Sequence, residues 1–194
     1  MKNGLGRMCQ HRIRIACAVV WFGMAFSLIS PPLHAGAVRA NLGFTNGGSL
    51  SANDDHSSAA VPLGFTINFY GTNFANVFVN NNGNATFDQG YGTYTPYGIT
   101  NVVAYIMAPF FADVDTRATN SQVVTWGNDT VNGRPAFGVN WVNVGYYSYG
   151  GDKLNSFQLV LINRSDISPG DFDIEFNYDQ ILCCLLYTSP SPRD

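Results

Sequence analysis

The chain has 194 residues, 46% of them hydrophobic and 12% charged, with a formal net charge of −3. That length fits one ordinary domain with extensions, and an acidic balance argues against nucleic acid or anionic lipid surfaces as partners. All four cysteines, Cys9, Cys17, Cys183 and Cys184, lie near the ends, which excludes a zinc finger, a thiol nucleophile or a disulfide scaffold from the body of the chain.

Residues 1–36 carry Lys2, Arg7, Arg12 and Arg14, then an apolar run over 15–29; small residues follow at Ala35 and Ala37. A basic start, an apolar stretch of about 15 residues and an A-x-A-like site describe a helical secretory signal peptide. The run is shorter than the ~20 residues that a bilayer-spanning helix needs, so the mature chain is expected to have no stable membrane span. A product secreted by, or retained on the surface of, a bacterial cell is the expectation. Without the signal, residues 41–181 hold eleven Asp and one Glu against Arg117, Arg134, Lys153 and Arg164, a balance of −8.

Residues 37–62 are crowded with Ser, Asn, Asp and Gly and read as a polar lead-in rather than a packed element. Over 63–70 the pattern then alternates, with Phe65, Ile67 and Phe69 on one face, as a half-buried strand requires. Val77-Phe78-Val79 and Ala85-Thr86-Phe87 flank an Asn/Gly cluster that predicts a tight hairpin. A loop over 88–100 carries Tyr91, Tyr94 and Tyr97. Residues 102–111 are nearly all apolar, which predicts a central core strand that ends abruptly in Asp113 and Asp115.

Strands are next expected over 123–126 and 136–141 around Asn132-Gly133, a hairpin dipeptide. A second tyrosine-rich loop holds Tyr146, Tyr147 and Tyr149. The run over 156–163 is apolar enough to be covered on both faces. Over 171–179, acids or amides alternate with Phe172, Ile174, Phe176 and Tyr178, predicted to point inward. No segment of the mature chain keeps a helical period. Seven or eight short strands with Gly/Asn turns predict an all-β, sandwich-like antiparallel domain over 63–181. Its predicted core includes Phe65, Ile67, Phe69, Val79, Phe110, Trp141, Phe157, Leu159, Ile174 and Phe176. Residues 182–194 depart from this pattern and read as a non-native tail, which implies a domain cut short at its C-terminal end.

Five motifs follow in order: Val77-Phe78-Val79-Asn80-Asn81-Asn82-Gly83, Tyr94-Thr95-Pro96, Ala108-Pro109-Phe110-Phe111-Ala112-Asp113-Val114-Asp115-Thr116-Arg117, Trp141-Val142-Asn143-Val144-Gly145-Tyr146-Tyr147 and Asn155-Ser156-Phe157-Gln158-Leu159-Val160-Leu161. In that order they resemble the nidogen-like (NIDO) extracellular domain. The acidic strand ending Phe176-Asn177-Tyr178-Asp179 extends the match. Phe111 stands where the family commonly has tryptophan. The resemblance implies a non-catalytic extracellular module of adhesion and matrix-type proteins.

Asp113 and Asp115, two apart on an extended segment, could share a hard cation such as calcium with Asn120 or Asp179. Arg117 and Ala118 break the EF-hand pattern, and the favoured reading makes both acids structural, with Asp115 paired to Arg117. No cofactor is expected. Catalysis finds no support, because the mature chain offers His56 alone outside the signal region and no nucleophile setting. The binding candidates are Tyr91, Tyr94, Tyr97, Tyr146, Tyr147 and Tyr149, since loop aromatics on a rigid β scaffold can anchor an extracellular protein or stack on a glycan. An adhesion module is the primary expectation, and a carbohydrate-binding sandwich the alternative.

Overall fold

The computed structural model describes residues 38–96 and 104–184. The segment read as a signal peptide, Tyr97 and most of the tail lie outside the described residues. Among the described residues nine strands form two antiparallel sheets, and none is helical. The five-stranded sheet runs β1-β6-β7-β8-β9, with β1 at Gly48–Ser49, β6 at Thr125–Val131, β7 at Arg134–Tyr146, β8 at Gly150–Asn163 and β9 at Phe172–Gln180. The four-stranded sheet runs β2-β3-β4-β5, with β2 at Val61–Phe69, β3 at Thr72–Asn80, β4 at Asn84–Thr86 and β5 at Ile106–Met107. The all-β, sandwich-like class is as the sequence predicts.

Hairpins join consecutive strands wherever the turn chemistry permits positive φ. Tyr70-Gly71 and Asn132-Gly133 each place two consecutive residues at positive φ, the requirement of a type I′ turn that matches strand twist. Between the sheets lies a shared core. Trp141 and Phe157 stack with ring centroids 5.2 Å apart and planes 10° apart, and Phe110 meets Phe157 edge-on at 5.3 Å. Ile67, Val77, Val79, Phe137, Leu159 and Leu161 are fully buried around them. Phe65, Phe69 and Phe110 pack against this core only partly buried.

Three expectations are corrected. First, the described part of the predicted central strand, 104–111, is not one: Ile106–Met107 pairs at the sheet edge, and Pro109 cannot donate to a ladder, while 102–103 lie outside the described residues. Second, the polar lead-in is packed. Leu42 and Phe44 lie over Val131, Ala136, Val160 and Ile162 on the outer face of the five-stranded sheet, with Phe44 only 1% exposed. Gly127 and Gly138 face each other across β6 and β7, and a Cβ at Gly138 would overlap the Phe44 ring. Two side-chain-free positions in register thus make the seat for that segment. Composition hid this because two aromatic and aliphatic anchors among polar residues carry no periodicity.

Third, Ile174 and Phe176 are not core residues: each is 43% exposed. Their direction is as predicted, since they lie opposite Leu161 and Leu159. Among the described residues β9 is the edge strand of its sheet, and both side chains stay partly open to water.

Candidate functional site

The Asn80-Asn81-Asn82-Gly83-Asn84 turn, expected as a simple hairpin, is a buried polar hub. All four asparagines are at most 1% exposed. Asn80 Nδ2 donates to Asn84 Oδ1 and Thr86 Oγ1, and Asn82 Oδ1 accepts the Val114 N–H at 2.9 Å. Trp141 Nε1 donates to the carbonyls of Asn80 and Asn81. Gly83 sits at φ 71°, and a Cβ there would overlap the Phe110 carbonyl. These bonds satisfy groups that would otherwise be costly to bury. They also fix the segment 110–117 against the turn.

That anchoring brings Asp113 beside two acids from the lead-in. One carboxylate oxygen from each of Asp54, Asp55 and Asp113 lies within 4.8 Å of the other two. Asn81 Nδ2 donates to the Asp54 carbonyl at 2.5 Å, and Asn82 Nδ2 to Asp55 Oδ1 at 2.9 Å. Tyr94 and Tyr147 complete a cleft of about 340 Å³ around these three acids. Tyr147 is tied in by its N–H, which donates to the Asp113 carbonyl at 3.1 Å. The two rings remain 54% and 66% exposed. A concave acidic floor with two accessible aromatic rings suits a cation, by charge and by ring quadrupole.

Burial and the neighbouring carboxylates of Asp54, Asp55 and Asp115 raise the Asp113 carboxyl from 3.8 to about 6. Asp54 also rises, from burial and the Asp115 charge, although Arg117 opposes the shift. Its Oδ1 is buried without a hydrogen-bond partner among the described residues. Arg117 offsets part of the mutual repulsion at Asp54, whereas Asp55 and Asp113 have no ion-pair partner among the described residues.

Asp115 has a different role. It is fully buried and accepts from Arg117 Nε at 2.8 Å, from Arg117 Nη2 at 2.7 Å and from the Tyr149 N–H at 2.9 Å. Burial opposes its ionisation, but the Arg117 and Tyr149 hydrogen bonds outweigh that and hold its pKa below the ordinary value. Arg117 also reaches Asp54 Oδ2 at 2.6 Å and lies 4.3 Å from the Tyr149 ring centroid.

The structure therefore divides the sequence-derived candidates. It joins Asp113, Tyr94 and Tyr147 in one cleft, with Asp115 and Tyr149 in the adjoining clamp. Tyr146 is committed to its own hairpin, its hydroxyl donating to Asp152 Oδ1 at 2.6 Å. Tyr91 is half-buried and meets Phe111 edge-on. Neither suggested companion of the acid pair joins them: Asn120 Nδ2 donates to the Gly151 carbonyl, and Asp179 belongs to β9. Sequence reasoning missed Asp54, Asp55 and Asn82. The adjacent acids were visible, but nothing local placed them against a loop some 60 residues onward.

A family model of the nidogen-like domain matches residues 75–184. The chain belongs to the nidogen-like domain family. Asp113, Tyr94 and Tyr147 fall within the matched residues of this nidogen-like domain, whereas Asp54 and Asp55 precede them. Alpha-tectorin of Mus musculus is 30% identical over 153 residues, covering 66% of this chain, and alpha-tectorin of Homo sapiens is 30% identical over 154 residues. The chain spans 7% of the length of either relative. No solved structure gives a significant match.

Proposed function

We propose that this nidogen-like domain is a non-catalytic extracellular interaction module of matrix and adhesion type, exported by its N-terminal segment. In this reading the cleft of Asp54, Asp55, Asp113, Tyr94 and Tyr147 binds a lysine or arginine side chain of a protein partner. Family membership and the likeness to alpha-tectorin support the module class. The observation that carries the site is the convergence of three carboxylates under two exposed rings. Such a cleft offers charge neutralisation and cation–π contact together.

A protein cation suits this cleft better than calcium. Calcium takes about 6–8 oxygens, and Asp115, the acid expected to share it, is engaged by Arg117 and Tyr149. The test is a titration of the exported chain with lysine- and arginine-containing peptides, repeated for Asp113→Asn and Tyr147→Ala. Binding lost in both variants is the expected result. A melting midpoint raised by calcium and unchanged by the peptides would assign the cleft to a metal. Glycan-array binding lost on Tyr147→Ala would assign it to carbohydrate.

A further inference from the structure

Three Asn-x-Ser/Thr triplets occur in the chain: Asn84-Ala85-Thr86, Asn128-Asp129-Thr130 and Asn163-Arg164-Ser165. This triplet is the acceptor pattern for N-linked glycans, bulky groups that attach to the asparagine Nδ2 and need room at the surface. By sequence the three are equivalent. The fold separates them.

Asn84 lies in β4 with no exposed surface, and Thr86 is equally buried. Asn84 Nδ2 donates to the Asn82 carbonyl at 3.2 Å, and its Oδ1 accepts from Asn80. A glycan there would break the buried hub. Asn128 is exposed on β6, but its Nδ2 donates to the Leu63 carbonyl of the other sheet. The Thr130 N–H donates to Asp129 Oδ1 at 2.7 Å rather than back to Asn128, whose backbone stays in register opposite Phe137.

Asn163 differs at each of these points. It is the last residue of β8, where the chain leaves the sheet, and residues 165–169 beyond it are all exposed. Its Oδ1 accepts the Ser165 N–H at 2.9 Å, closing an Asx turn. Its Nδ2 and the Ser165 hydroxyl make no hydrogen bond among the described residues. Arg164 fixes the turn from within: its N–H donates to the Asp171 carbonyl at 2.8 Å, and its Nη1 reaches Asp173 Oδ2 at 2.8 Å.

We propose that Asn163 is an N-glycan acceptor, and the one of the three triplets that the folded chain presents to a transferase. The co-reactant is an oligosaccharide carried on a lipid pyrophosphate. Nδ2 forms a bond to the anomeric carbon, the bond from that carbon to the pyrophosphate oxygen breaks, and the lipid pyrophosphate leaves with the electron pair. The proton lost by Nδ2 passes to a base of the transferase. An amide nitrogen is a weak nucleophile because its lone pair is shared with the carbonyl. The Ser165 N–H helps by stabilising negative charge that gathers on Oδ1 as that proton departs. In a cell this modification rests on the export proposed above.

The test incubates the folded full chain with a single-subunit oligosaccharyltransferase and a lipid-pyrophosphate oligosaccharide, and locates glycans by peptide mass spectrometry. Short peptides carrying each triplet serve as the unfolded reference. One glycan, at Asn163, is expected on the folded chain, although all three peptides are accepted. Asn163→Gln and Ser165→Ala should abolish it with the melting midpoint unchanged, and Ser165→Thr should retain it. A folded chain left unmodified while the Asn163 peptide reacts would overturn the proposal, as would equal modification of Asn128. The reaction in solution does not involve export. A chain modified there but left bare in a eukaryotic secretory host would therefore count against export and leave Asn163 assigned.

Discussion

The buried carboxylate of Asp115 accepts a 2.9 Å hydrogen bond from the backbone N–H of Tyr149, 34 residues further along the chain. Tyr149 and the preceding Ser148 both sit at positive φ, a conformation that disfavours side chains other than glycine and the small amides. The bond holds that strained turn against the 113–117 segment. Arg117 completes the clamp by neutralising Asp115 and lying over the Tyr149 ring.

Removing either end of this clamp should have unequal effects. Arg117→Ala leaves the buried Asp115 carboxylate with backbone N–H donors alone and no counter-charge, so it should be the more destabilising of the two. Asp115→Asn keeps the shape, removes the buried charge and leaves Arg117 one-third exposed to water, so about 1.5–3 kcal/mol is expected. Urea denaturation of the two variants measures the order.

Stability should also respond to pH through Asp113. Its carboxyl is raised from 3.8 unfolded to about 6 folded, so the folded state binds the extra proton. Its contribution is fully present below about pH 4 and is lost as pH rises through about 6. Asp115 has the opposite sign, with its contribution present above 3.8 and lost as pH falls through its lowered folded value. Urea midpoints at pH 5 and pH 7 should therefore differ in favour of pH 5 for this group. Asp113→Asn should remove that difference and raise the midpoint at pH 7.

In the core, Phe157→Ala should cost about 3–5 kcal/mol, because the ring is fully buried between Trp141 and Phe110. Ile174→Ala should cost under about 1 kcal/mol, since much of that side chain is already in water. Similar losses for both would mean that β9 is covered in solution. Chemical denaturation distinguishes the two cases.

The packed lead-in gives a further check. Gly138→Val would drive a side chain into the Phe44 ring, and that ring is held only by a short, largely polar segment. Limited proteolysis should cut between residues 38 and 50 faster in the variant than in the wild-type chain. Phe44→Ala should reproduce the effect with Gly138 intact.

Much of the fold follows from local chemistry alone. Alternating apolar residues produce strands β2 and β9, Gly71 the turn from β2 to β3 and Asn132-Gly133 the turn from β6 to β7, because side-chain direction and permitted φ are properties of neighbouring residues. Motif order, likewise a one-dimensional property, pointed to the nidogen-like family. Tertiary structure decided the rest. Inward direction and burial are different things: Leu159 and Phe176 share a face, but burial depends on how far the opposite sheet reaches, which no strand encodes about itself. Asp113 and Asp115 look equivalent in the sequence, yet their titration diverges because Asp113 is desolvated beside Asp54 and Asp55 while Asp115 meets Arg117 and the Tyr149 N–H. Those partners come from distant loops, and carboxylate energetics depend on which charges lie within a few ångströms in space.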